Sequence, residues 1–220
     1  MKIELVSLQT KRAFFQSSGA LALCCSVPFS ACSVASARYR KDLYACEGCD
    51  ATTEVDSGDL QSIVHIATAN ERGERLILRG KVLSADGKAP VGGVVIYLHQ
   101  TNVDGLYAGG DKSNPNSRRH GKLRGWAKSA SNGTYEFHTI KPAPYPGQSE
   151  PAHIHLYIKE PNTPPYYIDN VVFDGEFLVN NDYRREMANR GGSGIVKLLK
   201  DDNGILIASR DIILERHPPA

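Results

Sequence analysis

From Leu76 onward the chain alternates short apolar runs with turn residues, and this rhythm commits it to a β fold. "LILRGKVLS" is followed by "ADGKAP", "GVVIYLHQT" by "NVDGL", "GWAKSA" by "SNG" and "TYEFHTI" by a proline-rich loop; "HIHLYIK", "YYIDNVVF", "GIVKLLK" and "ILIASRDIIL" complete the series. Strands at this spacing, punctuated by Asp-Gly and Asn-Gly, predict an all-β, antiparallel sandwich or barrel. "SASNGTYEF" is the clearest hairpin, and "NDYRREMANR" predicts one short C-terminal helix, opened by an Asn/Asp cap and stopped by Gly191-Gly192. The chain has 220 residues, 41% of them hydrophobic. That suffices for one domain, assigned to residues 76–220, preceded by an arm over 38–75.

The N-terminus differs in kind. Lys11-Arg12 precedes a stretch without charge from Ala13 to Ala37, interrupted by Pro28. Residues 1–37 therefore read as an export signal rather than a membrane span, cleaved after residue 37 at the Ala35-Ser36-Ala37 site. Lys11-Arg12 before Phe14-Phe15 resembles a twin-arginine signal with Lys in the first place. "FSAC" alternatively offers cleavage after residue 31 and Cys32 as a lipid anchor. The expected location is outside the cytoplasm: periplasmic, membrane-anchored or secreted. Either cleavage leaves Cys46 and Cys49 as the only pair, Cys32 being removed in one case and the lipid-bearing residue in the other. "CEGC" reads best as a structural disulfide; half a zinc site or a redox motif are the alternatives. A net charge of +2 gives no electrostatic case for nucleic acid.

The chemistry concentrates in "EPAHIHLYIKEP", residues 150–161. In an extended run His153, His155 and Tyr157 share one face while Ile154, Leu156 and Ile158 share the other. An H-x-H pair alone serves copper, zinc or iron, or nothing. Two loop tyrosines narrow the choice. Tyr145 lies between prolines in "KPAPYPGQ", which stiffen its loop, and Tyr107 ends the glycine-containing loop "TNVDGLY" after a strand. A phenol ionises near pH 10 in water, so holding two phenolates at neutral pH calls for a strongly Lewis-acidic ion such as Fe(III).

"YEFHTIKPAPYP" followed by "PAHIHLYI" resembles the intradiol ring-cleavage dioxygenases, the non-haem ferric enzymes that include protocatechuate and catechol dioxygenases. The resemblance spans roughly residues 76–214 and includes "VVIYLHQTNVDGLY". It implies a transthyretin- or immunoglobulin-like sandwich and one Fe(III) per chain held by Tyr107, Tyr145, His153 and His155. It also implies a catechol-type substrate cleaved with O2 to a muconate-type diacid, with Tyr145 as the ligand that the substrate displaces.

Two positions depart from the pattern. Where the family usually has an arginine, three residues before the first histidine, this chain has Glu150, and Asn170 stands where a glutamine is common. Asn170 is therefore expected beside the metal. Arg124 is the expected replacement cation among Arg118, Arg119, His120, Lys122 and Arg124, because it enters a strand while the others read as a solvated loop. His65, His138 and His217 lack spacing partners and read as packing or surface residues, as do Trp126 and Tyr166-Tyr167; His99 lies on a strand near the first tyrosine loop, where lining the pocket is the alternative to the packing role expected of it, and Tyr157 reads as pocket wall. Glu150 also sustains a second reading, a metal-binding sandwich that holds a ligand without turnover. A metal-free structural domain is the third.

Overall fold

A computed structural model describes residues 39–147 and 150–219. The proposed export signal, with Cys32 and both cleavage sites, lies outside the described residues. Along the chain run a 3-10 turn (Cys49–Thr53), β1 (Ile63–His65), β2 (Arg75–Leu83), β3 (Val95–Gln100), α1 (Pro115–His120), β4 (Arg124–Lys128) and β5 (Thr134–Ile140). There follow β6 (His153–Lys159), β7 (Tyr166–Phe173), α2 (Asn181–Glu186), β8 (Ile195–Val196), β9 (Leu198–Lys200), β10 (Leu206–Ser209) and β11 (Ile212–Ile213).

The strands form two sheets, one in the order β1-β5-β2-β10-β9 with β11 beside β2, the other in the order β4-β3-β6-β7-β8. Alternating residues of both meet in one core: Leu76, Leu78 and Phe137 from the first, Ile96, Leu98, Ile154, Leu156 and Ile158 from the second. Not every pairing is antiparallel. β1 runs parallel to β5, β10 and β11 to β2, and β8 to β7. These partners lie far apart in sequence, and parallel neighbours need such long crossovers, which hairpin spacing cannot reveal. The C-terminal helix ends early, at Glu186, because Met187 is already extended (ψ 127°), and its N-terminus is capped by Asn180.

The second sheet positions the site, because its outer face is covered as well. All six residues of β3 are buried. The inward set is aliphatic, whereas the outward set on β3, β4 and β6 is aromatic and polar: Tyr97 and His99, Arg124 and Trp126, His155 and Tyr157, in mutual register. The arm closes over this face. Cys49 and Ala51 pack on Tyr97 and Tyr157, and the Trp126 indole N–H donates to the Ala51 carbonyl at 2.7 Å. Cys46 and Cys49 are joined by a disulfide across this turn. A loop this short stabilises by about 2 kcal/mol in the chain-entropy model. The Cys46→Ser/Cys49→Ser variant is thus expected to melt about 4–8 °C lower by calorimetry.

Candidate metal centre

Each expected ligand arrives by a local device. β6 presents His153 and His155, and opposite His155 its pairing with β7 slips: Ile154 pairs with Val171 but Leu156 with Ile168. Bulges of this kind re-aim side chains beside functional sites. Tyr107 and Tyr145 come from two loops tied together. The Thr101 hydroxyl donates to the Ala143 carbonyl at 2.7 Å, and the Ala143 N–H donates to the Asn102 carbonyl at 3.2 Å. Gly105 (φ +73°) makes the approach feasible, since a Cβ there would stand 2.2 Å from the Pro144 carbonyl oxygen.

The four side chains converge. The Tyr107 and Tyr145 hydroxyls lie 2.5 Å apart, and His155 Nε2 lies 2.9 Å from Tyr107 Oη and 3.3 Å from Tyr145 Oη. His153 Nε2 lies 3.1 Å from Tyr145 Oη and 3.0 Å from His155 Nε2. His153 Nδ1 faces the Pro151 carbonyl at 2.8 Å; a carbonyl only accepts, so the ring proton sits on Nδ1 and Nε2 offers a bare lone pair. Burial, with the charges of His153 and His120 adding to it, lowers the His155 pKa to about 3, so its imidazole is neutral at pH 7. Burial likewise raises both phenols: the Tyr145 hydrogen bond and the Glu150 charge raise Tyr107 further, while in Tyr145 the hydrogen bond from Tyr107 opposes burial and Glu150 adds to it.

This donor set fits a cation. Two imidazole nitrogens and two phenol oxygens crowd within 3.3 Å of their neighbours, with lone pairs outnumbering protons. Such a cluster is satisfied best by a positive ion among the four. The two tyrosines also explain why no group of three or more His, Cys, Asp or Glu suited to a metal occurs among the described residues.

Two cavities adjoin the cluster. One, of about 280 Å³, is lined by Tyr107, Tyr145 and His155 together with His99, His120, Tyr157, Arg119 and Glu47. The other, of about 450 Å³, touches His155 and is lined by Asn170, Asp169, Tyr183 and Glu186 among others. Asn170 thus stands beside His155, where its side chain favours the protonated ring against burial.

Arg124 is not brought to the cluster. Its guanidinium pairs with Glu54, sits 4.7 Å above the Trp126 ring and donates to the Tyr97 hydroxyl at 3.3 Å. Glu54 follows the 3-10 turn of the arm, so a partner from 70 residues upstream captures this cation. Arg119 lines the smaller cavity instead, and there His99 and His120 do more than pack. His99 stacks on His120 (3.9 Å, 1°) and on His155 (4.4 Å, 24°). A signal for part of this was present: Asn114 before Pro115 is a helix start, and α1 delivers Arg119 and His120. The pairing of His99 with His155 across β3 and β6 had no local signal. His65 and His138 stack on each other at 4.1 Å, outside both cavities, and His217 bonds Tyr44 and Glu160.

Comparison with known proteins matches residues 51–197 to the C-terminal Dioxygenase family model. The chain belongs to the intradiol ring-cleavage dioxygenase family. It is 31% identical over 131 residues to chlorocatechol 1,2-dioxygenase of Rhodococcus opacus, covering 52% of this chain and 49% of that protein. To chlorocatechol 1,2-dioxygenase of Pseudomonas sp. (strain P51) it is 29% identical over 161 residues, 64% and 59% of the two chains. It thus spans about half the length of these family members. Among solved structures, the dioxygenase domain of a carbohydrate-binding fusion from Streptomyces sp. SirexAA-E superposes with a TM-score of 0.54 at 20% identity, covering 76% of this chain and 99% of that one. That likeness is one of fold.

Proposed function

We propose that the protein is a ferric intradiol dioxygenase that opens a catechol-type diol between its hydroxylated carbons, using O2 to form a muconate-type diacid. The observation that carries this reading is the convergence of the Tyr107 and Tyr145 hydroxyls with His153 Nε2 and His155 Nε2 in a family member. The two sheets are read as a sandwich of the transthyretin- or immunoglobulin-like kind.

Tyr107, Tyr145, His153 and His155 would hold one Fe(III). When bound, the ion supplies the Lewis acidity that keeps phenolates at neutral pH and makes a bound diol susceptible to O2. The chain's own groups do the rest. The Pro151 carbonyl fixes the His153 tautomer, and His99 supports the His155 ring by stacking. Tyr107 and Tyr145 both line the smaller cavity, and Tyr145, on the proline-flanked loop, is the one the family resemblance makes displaceable, so its Oη is read as the atom that takes a proton from an entering diol. Asn170 lies against His155 on the other side. Glu150 puts an anion near both phenols, a field opposite to the usual arginine's. The test is incubation of the iron-loaded protein with catechol under oxygen, following muconate by its ultraviolet absorption. Stoichiometric O2 uptake with muconate is expected; diol binding without O2 uptake supports the non-turnover binding module instead.

A further inference from the structure

His99 and His120 are both buried, and neither belongs to the four donors. His99 is stacked on His120 (ring centres 3.9 Å apart, planes within 1°) and on His155 (4.4 Å, 24°). Two rings this close cannot share one face, so His99 lies between them and the three imidazoles form a column that ends on a ligand of the centre. Edge contacts do not account for the placing of His99. Its Nδ1 is buried without a partner, and its Nε2 meets the Tyr157 hydroxyl only at 3.4 Å. A histidine ring turns in a broad, two-fold χ2 well, so when its nitrogens are loosely tied its plane is set by what lies on its faces. The two histidine ligands are thus oriented differently: His153 through its Nδ1 and the Pro151 carbonyl, His155 through the face it shares with His99.

The far end of the column is anchored on both edges. A guanidinium only donates, so the Tyr97 hydroxyl accepts from Arg124 (3.3 Å) and donates its own proton to His120 Nδ1 (2.8 Å). The opposite edge of the His120 ring meets the arm at Gly48, where a Cβ would stand 3.3 Å from Cε1 and 3.4 Å from Nε2. That Cβ would also stand 3.3 Å from Tyr157 Oη. Gly48 has φ +83°, a left-handed geometry that glycine adopts without strain, and it lies inside the loop closed by Cys46 and Cys49.

The arm also grips α1, the helix that ends in His120. The Asn116 side chain donates to Asp50 and the Asn114 side chain to Glu54, each at 2.9 Å. Glu47 pairs with Arg119, but their side chains are 88% and 47% exposed, and exposed pairs contribute little. The disulfide is therefore the firm tie that keeps the Gly48 turn against the ring.

We propose that His120 is a positioning residue for the His155 ring, acting through His99, and that the Cys46–Cys49 turn holds it there, so that iron is bound tightly only while the disulfide is intact. This rests on the metal-centre reading and adds to it the means by which the arm governs the centre. Outer groups that orient a ligand are part of what sets metal affinity.

The test is equilibrium competition for ferric iron between EDTA and the full-length protein, with bound iron read by plasma emission and folding by circular dichroism. His120→Ala, which removes the end of the column, is expected to weaken iron binding by about 10–100-fold, the range for lost groups that orient a ligand. His120→Phe, which keeps a ring against His99, is expected to recover most of that loss. Cys46→Ser/Cys49→Ser is expected to weaken binding in the same direction at temperatures well below its melting point. Leu78→Ala, in the core on β2 of the other sheet, is expected to destabilise the fold but leave iron affinity at the wild-type level. Wild-type affinity in His120→Ala or in the double serine variant would overturn the proposal, as would no recovery in His120→Phe or a loss in Leu78→Ala as large as in His120→Ala. If the wild type itself takes up no ferric iron, the metal-centre reading fails and the proposal with it.

Discussion

Replacing His155 by Ala is expected to empty the metal centre and end ring cleavage, with kcat/KM falling by more than about a hundredfold. Loss of groups that merely support a ligand already costs about 10–100-fold, and His155 is closer than that. Its Nε2 lies within 3.3 Å of the other three donors, and its ring is the surface on which His99 stacks. The fold should survive, because the neighbouring Ile154 and Leu156 face the core and stay in place. Iron content by plasma emission, activity by O2 uptake and folding by circular dichroism separate these effects. A variant that folds, retains iron and turns over normally would remove His155 from the centre.

The second large effect is on stability. Glu54→Ala is expected to lower the unfolding free energy by about 3 kcal/mol, the usual cost of stripping one partner from a buried ion pair. The Arg124 and Glu54 side chains are 9% and 17% exposed, so the stranded guanidinium cannot regain full hydration. Glu54 also accepts from Asn114, the residue that caps α1, so the loss reaches the helix carrying Arg119 and His120. Burial raises the Glu54 pKa, but hydrogen bonds from Arg124, Asn114 and Asn116 with the Arg124 charge lower it further, for a net depression. A carboxylate depressed in the folded state contributes stability above its unfolded pKa, about 4.3, and loses it as pH falls through the folded value. Urea unfolding of wild type and Glu54→Gln at pH 7 and pH 3 is therefore expected to show a larger gap at pH 7. An equal gap at both pH values would contradict the assignment.

How much of this was legible in the sequence follows from the range of each interaction. The alternation in β6 placed His153 and His155 on one face because strand geometry is local, and the prolines around Tyr145 announced a stiff loop for the same reason. Arg124 misled because its fate was decided by Glu54, on an arm whose course over the outer sheet face no local pattern encodes. The stacking of His99, expected to pack, on His120, expected in a solvated basic loop, was hidden because the two are 21 residues apart in the chain while their ring centres lie 3.9 Å apart in space. The mixed sheet escaped because β10 and β11 return to β2 over more than 120 residues. What the sequence hid were tertiary pairings, and these build the wall of the cavity rather than the ligand cluster itself.

The claim on which the rest depends is that Tyr107, Tyr145, His153 and His155 hold ferric iron, and the visible absorption spectrum of the purified protein, read with its iron content, tests it most directly. Tyrosinate bound to ferric iron absorbs in the visible, so the account predicts a wine-red protein with one iron per chain whose band shifts in Tyr145→Phe. A folded protein that stays colourless after loading with ferric iron, or a band unchanged by that substitution, would contradict it.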